Sequence, residues 1–237
     1  MRLYFAGNGY GSVPDKEKEF LENLGAKYKL YSYHNEPKKA MMWGSEGMML
    51  DSGAFSAWSR GVEIDIDEFI EFVQLVEPER TIQLDVIGDE GASWKNWKYL
   101  DDHIDTMPVI HYNASTEQIK RVCDVADYIC FGALVPFARR KKELCKWLDY
   151  LFTFKEIREK RIHCLGIMTP EILMRYPFYS ADSTSALRLV RFPTDNILLK
   201  YRQKRNDRNE LLTYGVQEQL KLQKFVTELW KIRLSDA

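Results

Sequence analysis

Eight short apolar runs recur along this chain, and segments with helical periodicity separate most of them. The runs cover residues 2–6, 28–33, 48–50, 81–84, 108–113, 128–131, 162–165 and 178–181. Parallel strands buried on both faces read as continuous apolar runs, and they need helical connections. The pattern therefore predicts a single (β/α)8 TIM barrel, although 237 residues would also suffice for two small domains.

The segments between the runs carry helix signals. Ser115 and Gln118 have capping-box spacing, and Thr169 followed by Pro170 is typical of a helix start. Beyond the eighth run, residues 187–199 should close the barrel, and a C-terminal helix over about 207–233 should follow. Its apolar stripe must pack on the barrel or on a second subunit; the stripe comprises Leu222, Phe225, Val226, Leu229 and Trp230. We expect one domain over residues 1–237.

Composition narrows the classes of protein that fit. No apolar run reaches the roughly 18–20 residues that span a bilayer, and no charged-then-apolar leader opens the chain. The net charge of −1 disfavours a protein that coats nucleic acid but leaves room for a local basic patch. The four cysteines are widely spaced and form no C-x-x-C pair, so we expect buried thiols, no metal site and no zinc subdomain. A cytoplasmic protein without membrane contact is the expectation.

Three of the apolar runs end at an aspartate, namely Asp51, Asp85 and Asp182. An aspartate at the end of a strand is most often a turn or capping residue. In a TIM barrel, however, the carboxyl ends of all strands meet at one mouth, where catalytic groups lie. Two carboxylates at a sugar carbon are the usual equipment for glycosidic chemistry, because one attacks the anomeric carbon and the other handles the leaving-group proton. A third could accept hydrogen bonds from the edge of a nucleobase.

Five short motifs, in order along the chain, resemble those of the tRNA-guanine transglycosylase superfamily. The closer match is its small phage and bacterial branch, the DNA guanine transglycosylases that exchange guanine for a 7-deazaguanine. The motifs are Asp51-Ser52-Gly53-Ala54-Phe55, Leu84-Asp85, Phe131-Gly132-Ala133-Leu134, His163-Cys164-Leu165-Gly166 and Ser180-Ala181-Asp182-Ser183.

The resemblance implies a role for each motif. Asp182 matches the nucleophile, Asp51 the general acid/base with Ser52 beside it, and Asp85 the carboxylate that reads the guanine edge. The backbone loop that lines the base pocket matches Gly132, Ala133 and Leu134, and Gly166 lies on the pocket floor. The implied reaction uses a covalent aspartyl-glycosyl intermediate, a 7-deazaguanine in its 7-cyano form as the expected incoming base, and no cofactor.

The chain departs from the tRNA enzymes at several points. Substrate-binding candidates His111 and Asn113 lie where those enzymes carry a base-binding glutamine, and Ala133 replaces a glycine. The C-x-C-x-x-C zinc insertion, which helps to hold tRNA in that family, has no counterpart in this sequence. The missing insertion favours DNA as the partner, with tRNA as the alternative.

Two basic stretches are candidates for nucleic-acid binding, since a polynucleotide needs phosphate contacts. One comprises Arg139, Arg140, Lys141 and Lys142, and the other Lys200, Arg202, Lys204 and Arg205. A solvated helix end is the ordinary interpretation of such a run. Trp43, Phe55 and Trp58 could stack on a flipped base or could simply pack in the fold.

Other functions fit the same residues. A hydrolytic N-glycosidase would use water in place of the incoming base, and a barrel without turnover would only bind nucleic acid. A homodimer and a requirement for accessory modification proteins also stay open at this point.

Overall fold

The computed structural model describes residues 1–7, 9–10, 14–191 and 208–235 of the chain. Within these residues, nine parallel strands form one sheet in the order β5-β4-β3-β2-β1-β9-β8-β7-β6. The strands are β1 (Arg2–Ala6), β2 (Tyr28–Ser32), β3 (Met48–Asp51), β4 (Arg80–Ile82), β5 (Thr106–Met107), β6 (Val109–His111), β7 (Tyr128–Gly132), β8 (Arg161–Cys164) and β9 (Ser180–Ser183).

The two ends of the sheet belong to one stretch of chain. β5 pairs with β4, β6 pairs with β7, and only Pro108 separates β5 from β6. Pro108 lacks the N–H that would continue a strand ladder, but its carbonyl accepts a hydrogen bond from the Cys130 N–H at 2.9 Å. Residues 106–111 therefore act as a single strand position that closes the sheet, and the predicted eight-stranded TIM barrel is confirmed.

Ten α-helices in the described part of the chain surround the barrel, together with a terminal one. They are α1 (Pro14–Asn23), α2 (Pro37–Trp43), α3 (Ala54–Ser59), α4 (Ile66–Val76), α5 (Glu90–Asp101), α6 (Thr116–Val125), α7 (Lys141–Leu151), α8 (Lys155–Arg158), α9 (Pro170–Arg175), α10 (Arg188–Arg191) and the terminal α11 (Arg208–Ser235). Short 3-10 turns occupy Val135–Phe137 and Ser185–Leu187. The predicted capping box of Ser115 and Gln118 forms at the start of α6, whereas the Thr169 side chain makes no capping bond to α9.

Alternation along the strands divides the buried side chains into two layers. Tyr4, Leu30, Met49, Val109 and Cys130 belong to a cluster inside the barrel. The neighbouring strand residues face the helices and join a larger outer core, for example Leu3, Phe5, Leu50, Ile110 and Ala181. This alternation decides which residues near the strand ends point into the barrel mouth.

The eighth strand position differs from its prediction. The sequence predicted a strand over 178–181 that ends before Asp182, but β9 runs from Ser180 to Ser183 and contains Asp182. The reason is the register with the first strand, where Arg2 pairs with Ser180 and Tyr4 with Asp182. Phe178 instead packs in the outer core.

The terminal helix packs on the barrel, which is one of the two predicted alternatives. The Met1 ammonium donates to Thr227 Oγ1 at 3.1 Å, and Trp230 Nε1 donates to the Leu173 carbonyl at 2.8 Å. Gly215 lies so close to the 3-10 turn that a Cβ there would be 2.2 Å from the Ala186 carbonyl oxygen. One member of the predicted stripe, Phe225, is 56% exposed and does not join the packing. The first residues of the predicted closing segment 187–199 belong to the 3-10 turn and α10, and residues 192–199 lie outside the described residues.

Among the helices that the structure describes, none has the length and apolar character needed to cross a bilayer. The four cysteines are free thiols on separate elements; Cys123, Cys130 and Cys164 are buried, and Cys145 is half-buried.

Candidate active site

The inward register places three of the predicted site residues at the mouth. Asp51 follows the interior residue Met49 by two positions on β3, and His111 follows Val109 by two positions on β6. Asp182 pairs with the interior residue Tyr4. Because side chains two apart on a strand share a face, all three point into the barrel at the carboxyl ends of the strands. Asp85 lies in the loop three residues past β4.

The thiol of Cys130 lies within electrostatic reach of all three aspartates. Cys130 is fully buried on β7, and its pKa is raised well above the ordinary value by burial and then by the charges of Asp85, Asp51 and Asp182. Asp51 ends β3, Asp85 follows the neighbouring strand β4, and Asp182 lies on β9, three positions from β3 in the sheet order. Their convergence in one pocket stays a prediction, which their shared position at the carboxyl ends of the strands favours.

Asp182 is the most buried of the three, with 7% of its surface exposed. Its Oδ1 accepts a hydrogen bond from the Gly166 N–H at 2.7 Å and lies 3.3 Å from Nε2 of His163. A hydrogen bond from a backbone N–H fixes the orientation of a carboxylate. Asp182 is thus a rigidly held carboxylate at the mouth.

Asp51 is half-buried, and its Oδ2 accepts a hydrogen bond from the Gly53 N–H at 3.1 Å. Burial raises its pKa to about 7, and the charges of Asp85 and Asp182 contribute to the rise. Gly53 has φ +80, and a Cβ there would lie 2.3 Å from Ser32 Oγ, so the turn that supplies this N–H needs glycine. At neutral pH, Asp51 can both give and accept a proton.

Asp85 belongs to a charged cluster with His111 and Glu90. Nε2 of His111 lies 3.0 Å from Asp85 Oδ2, and Nδ1 lies 2.6 Å from Glu90 Oε1. Burial alone would lower the pKa of His111, but its bonds to Asp85 and Glu90 raise the pKa to about 10. The imidazole is therefore protonated at neutral pH and forms an ion pair with Asp85. The Gln83 amide donates to the other oxygen, Asp85 Oδ1, at 2.5 Å.

The predicted base-pocket loop lies at the mouth beside this cluster. Gly132 is buried, and a Cβ there would lie 2.5 Å from Val109 Cγ1 and 3.3 Å from His111 Cδ2. Ala133 is exposed with φ +56, a left-handed conformation that favours glycine, so this alanine is held in a strained backbone. The side chain of Leu134 is fully buried, which leaves its backbone as the part that can face a ligand.

The remaining predicted substrate-binding residues differ in exposure. Ser52 is 1% exposed and donates to the Gln83 carbonyl at 3.3 Å, so its hydroxyl is used within the fold. Asn113 is exposed, with φ +67. Gly166 has φ +70 and supplies the N–H to Asp182 described above.

The first basic stretch is exposed on the mouth side, between the loop after β7 and the start of α7. Two of its side chains have acidic neighbours: Arg140 pairs with Glu143 at 3.0 Å, and Lys141 pairs with Glu171 at 2.8 Å. Arg139 and Lys142 are also exposed. The second stretch, with Lys200, Arg202, Lys204 and Arg205, lies outside the described residues.

The aromatic candidates divide into buried and exposed groups. Trp43 is 3% exposed and packs edge-on against Tyr31, so it belongs to the core. Phe55 and Trp58 on α3 are 63% and 58% exposed, and their ring centroids lie 5.9 Å apart. Beside them, a cleft of about 310 Å³ opens next to Asp85, and its walls include Trp58, Val62, Val86 and Asn96.

Sequence analysis assigned no role to several groups that shape this site. Glu90 and Gln83 hold His111 and Asp85, and His163 contacts Asp182. Glu90 follows the capping residue Asp89 and has the appearance of an ordinary acid in a first helical turn. His163 could have been found from its register, because it pairs with the inward residues Cys130 and Ser180. Among the residues that the structure describes, no group of three or more His, Cys, Asp and Glu side chains is placed to hold a metal ion.

Comparison with known proteins shows the fold of this chain only. No family model and no curated protein matches the sequence. Among solved structures, the chain is similar to a mutant tryptophan synthase α-subunit from Pyrococcus furiosus, with a TM-score of 0.55 and 12% identity over 92% of this chain and 96% of that chain. It also matches the tryptophan synthase α-subunit of Campylobacter jejuni, with a TM-score of 0.49, 10% identity, and coverage of 92% and 94%. At 12% identity, the first similarity shows the TIM-barrel fold alone.

Proposed function

We propose that this chain is a transglycosylase that exchanges guanine in DNA for a 7-deazaguanine, with the 7-cyano form as the expected incoming base. The support for the proposal is the resemblance of its motifs to those of the DNA guanine transglycosylases, together with three carboxyl groups at the carboxyl ends of the barrel strands. The target nucleotide is flipped out or taken single-stranded, because C1′ and the base edge are inaccessible in a stacked duplex.

The observation that carries the proposal is the different surroundings of three carboxyl groups at the mouth. Asp182 accepts from the Gly166 N–H and lies against His163, Asp85 pairs with a protonated His111, and Asp51 has a pKa of about 7. A carboxyl group whose pKa is raised to near neutrality is typical of an acid–base catalyst. A barrel that only binds nucleic acid would need no such arrangement.

Each carboxyl group takes one role in the proposed reaction. Asp182 attacks C1′, the C1′–N9 bond breaks, and guanine leaves with the proton of Asp51. The incoming base then gives its proton to Asp51 and attacks C1′, which releases Asp182. Two displacements retain the configuration at C1′, and no cofactor is required. Asp85 accepts hydrogen bonds from the N–H edge of the base.

DNA is the proposed polynucleotide because the sequence has no counterpart of the zinc insertion that helps to hold tRNA in the related enzymes. The exposed basic residues Arg139 and Lys142 lie on the mouth side, where phosphates would approach. We further expect a cytoplasmic enzyme, and a homodimer or accessory modification proteins stay possible partners.

The direct test is incubation of the protein with labelled 7-cyano-7-deazaguanine and either DNA or tRNA. We expect label in DNA, none in tRNA, and none with Asp182→Asn. Asp127→Asn is a matched control, because Asp127 is 86% exposed before the amino end of β7 and pairs only with Lys160 among the described contacts. Label in tRNA alone would favour the tRNA enzyme, abasic DNA without added base would favour a hydrolase, and no incorporation into either would reject the proposal.

A further inference from the structure

Asp182 is connected to a row of buried polar side chains inside the barrel. Ser180 Oγ lies 2.6 Å from the Tyr128 hydroxyl and 2.6 Å from Nδ1 of His163. The other imidazole nitrogen, Nε2, lies 3.3 Å from Asp182 Oδ1. Ser180 and His163 are fully buried, and Tyr128 is 6% exposed, so these groups must satisfy one another.

The hydrogen bonds in this row have a required direction. An ionised carboxylate only accepts, so Nε2 of His163 must carry a proton to face Asp182 without repulsion. A neutral imidazole protonated at Nε2 has an acceptor at Nδ1, which takes the Ser180 proton, and Ser180 in turn accepts from Tyr128. The opposite tautomer would direct the Nε2 lone pair at the carboxylate, which repels it.

We propose that His163, kept in the Nε2–H tautomer by Ser180, is a positioning residue that fixes Asp182 so that its Oδ2 attacks the sugar carbon. This inference rests on the proposed function. Oδ1 receives the Gly166 N–H and the His163 N–H, whereas the described hydrogen bonds leave Oδ2 without a partner.

The same donors act unequally on the two displacements. In the first, the Oδ2 electron pair forms the bond to C1′ as the C1′–N9 bond breaks. In the second, the C1′–Oδ2 bond breaks, its electron pair returns to the Asp182 carboxylate, and the incoming base bonds to C1′ and gives its proton to Asp51. Donors at Oδ1 stabilise the returning charge, so their loss should slow the second displacement and make the glycosyl-enzyme accumulate.

Two substitutions of His163 separate this role from simple packing. In His163→Gln, the amide nitrogen can occupy the place of Nε2 and donate to Asp182. In His163→Asn, the shorter side chain keeps a polar group near Ser180 but does not reach Asp182. Both variants remove the ring and its contact with Tyr4, so a role in packing alone would impair both.

The tautomer can be measured without any substrate. Proton–nitrogen NMR of the intact ¹⁵N-labelled protein, with His163 assigned from the spectrum of His163→Gln, should show a proton on Nε2 and none on Nδ1 at neutral pH. Ser180→Ala should yield a mixture of tautomers. A proton on Nδ1, alone or together with one on Nε2, would overturn the proposal whether or not the protein exchanges bases.

The kinetic test uses DNA with labelled 7-cyano-7-deazaguanine, on variants shown by circular dichroism to be folded. We expect His163→Asn to lower kcat by about 10–10²-fold. This loss is smaller than the usual one for a transition-state hydrogen bond, because the His163–Asp182 contact is long, at 3.3 Å. The trapped fraction of glycosyl-enzyme should rise. KM should stay within about twofold, and His163→Gln should recover most of kcat. Equal losses in both variants with an unchanged adduct fraction would overturn the proposal. A wild-type protein that exchanges no base would reject the proposed function and the kinetic role with it, while the NMR result would still report the tautomer.

Discussion

Asp51 differs from Asp85 and Asp182 in what surrounds its oxygens. Asp85 receives donors from His111 and Gln83, and Asp182 receives them from His163 and Gly166. Asp51 receives a single backbone N–H and faces the charges of the other two aspartates. Its proton is therefore retained up to a pH of about 7, which suits a group that must first give a proton and then take one.

This difference predicts how the first displacement depends on pH. Below a pH of about 7 Asp51 is mostly protonated, and the protonated fraction falls about tenfold per unit above that value. In single-turnover experiments without incoming base, the rate of adduct formation should fall in the same way as pH rises. In Asp51→Asn, adduct formation should be slower by about 10²–10⁴-fold, and its rate should no longer fall as pH rises. A wild-type rate that is flat from about pH 6 to about pH 9 would exclude Asp51 as the acid.

The sequence was informative about the aspartates and less informative about their partners. Asp51, Asp85 and Asp182 each follow a short apolar run, a local pattern that is visible without coordinates. The partners come from distant positions, as with Glu90 and His111 or His163 and Ser180. Their contacts depend on how strands and loops meet around the barrel, and no local pattern records that.

The closing strand position connects the fold to the site through Gln83. Its backbone N–H donates to the Met107 carbonyl at 3.1 Å, and its side-chain Oε1 accepts from the Val109 N–H at 3.1 Å. Gln83 thus bridges both sides of Pro108, where regular pairing is interrupted. Since its amide also donates to Asp85, the same side chain closes the barrel and orients a site residue.

Gln83→Leu should therefore affect both stability and activity. The substitution leaves the buried Val109 N–H without its acceptor, and we expect a loss of about 1–3 kcal/mol in the free energy of unfolding. Base exchange should weaken as well, because Asp85 loses one donor. Gln74→Leu on the exposed face of α4 is the matched control and should change stability by less than about 0.5 kcal/mol. Urea unfolding of both variants measures the two changes in the free energy of unfolding. Equally small changes in the two variants would contradict the bridging role of Gln83.

Carboxyl groups crowded at the barrel mouth lower the stability of the whole folded protein when they are charged. A carboxyl group whose pKa is higher in the folded protein than in the unfolded chain lowers the free energy of unfolding at high pH. The loss begins above the pKa of the unfolded chain and is complete above the pKa of the folded protein. For Asp51 this window extends from about 4 to about 7. Removing the charge should therefore stabilise the protein only at higher pH.

Asp51→Asn should accordingly be more stable than the wild type by about 1–3 kcal/mol at a pH of about 8, a range reduced for partial exposure of the side chain. At a pH of about 4 the two proteins should be equally stable. Denaturant unfolding at both values provides the measurement, and a difference that does not change with pH would show that the charge of Asp51 is not the cause.

The overall architecture followed from the sequence because it depends on repetition. Eight apolar runs, most of them separated by helices, favour a closed parallel barrel whatever the details of each run. Boundaries were harder, since the start of β9 is set by its register with β1 and not by the local residues around Phe178. The exposure of Phe225 likewise depends on how the terminal helix turns against the barrel, which its periodicity alone does not fix.

The central claim is that Asp182 forms a bond to the sugar carbon, and trapping that bond tests it most directly. Each variant is mixed with DNA, denatured, digested and analysed by mass spectrometry for a nucleotide-bearing peptide. We predict an adduct on the peptide that contains Asp182 in the wild type and in Asp51→Asn, because attack by Asp182 does not need Asp51 as a base. Asp182→Asn should yield none. An adduct in Asp182→Asn, or one attached to another residue, would contradict the account.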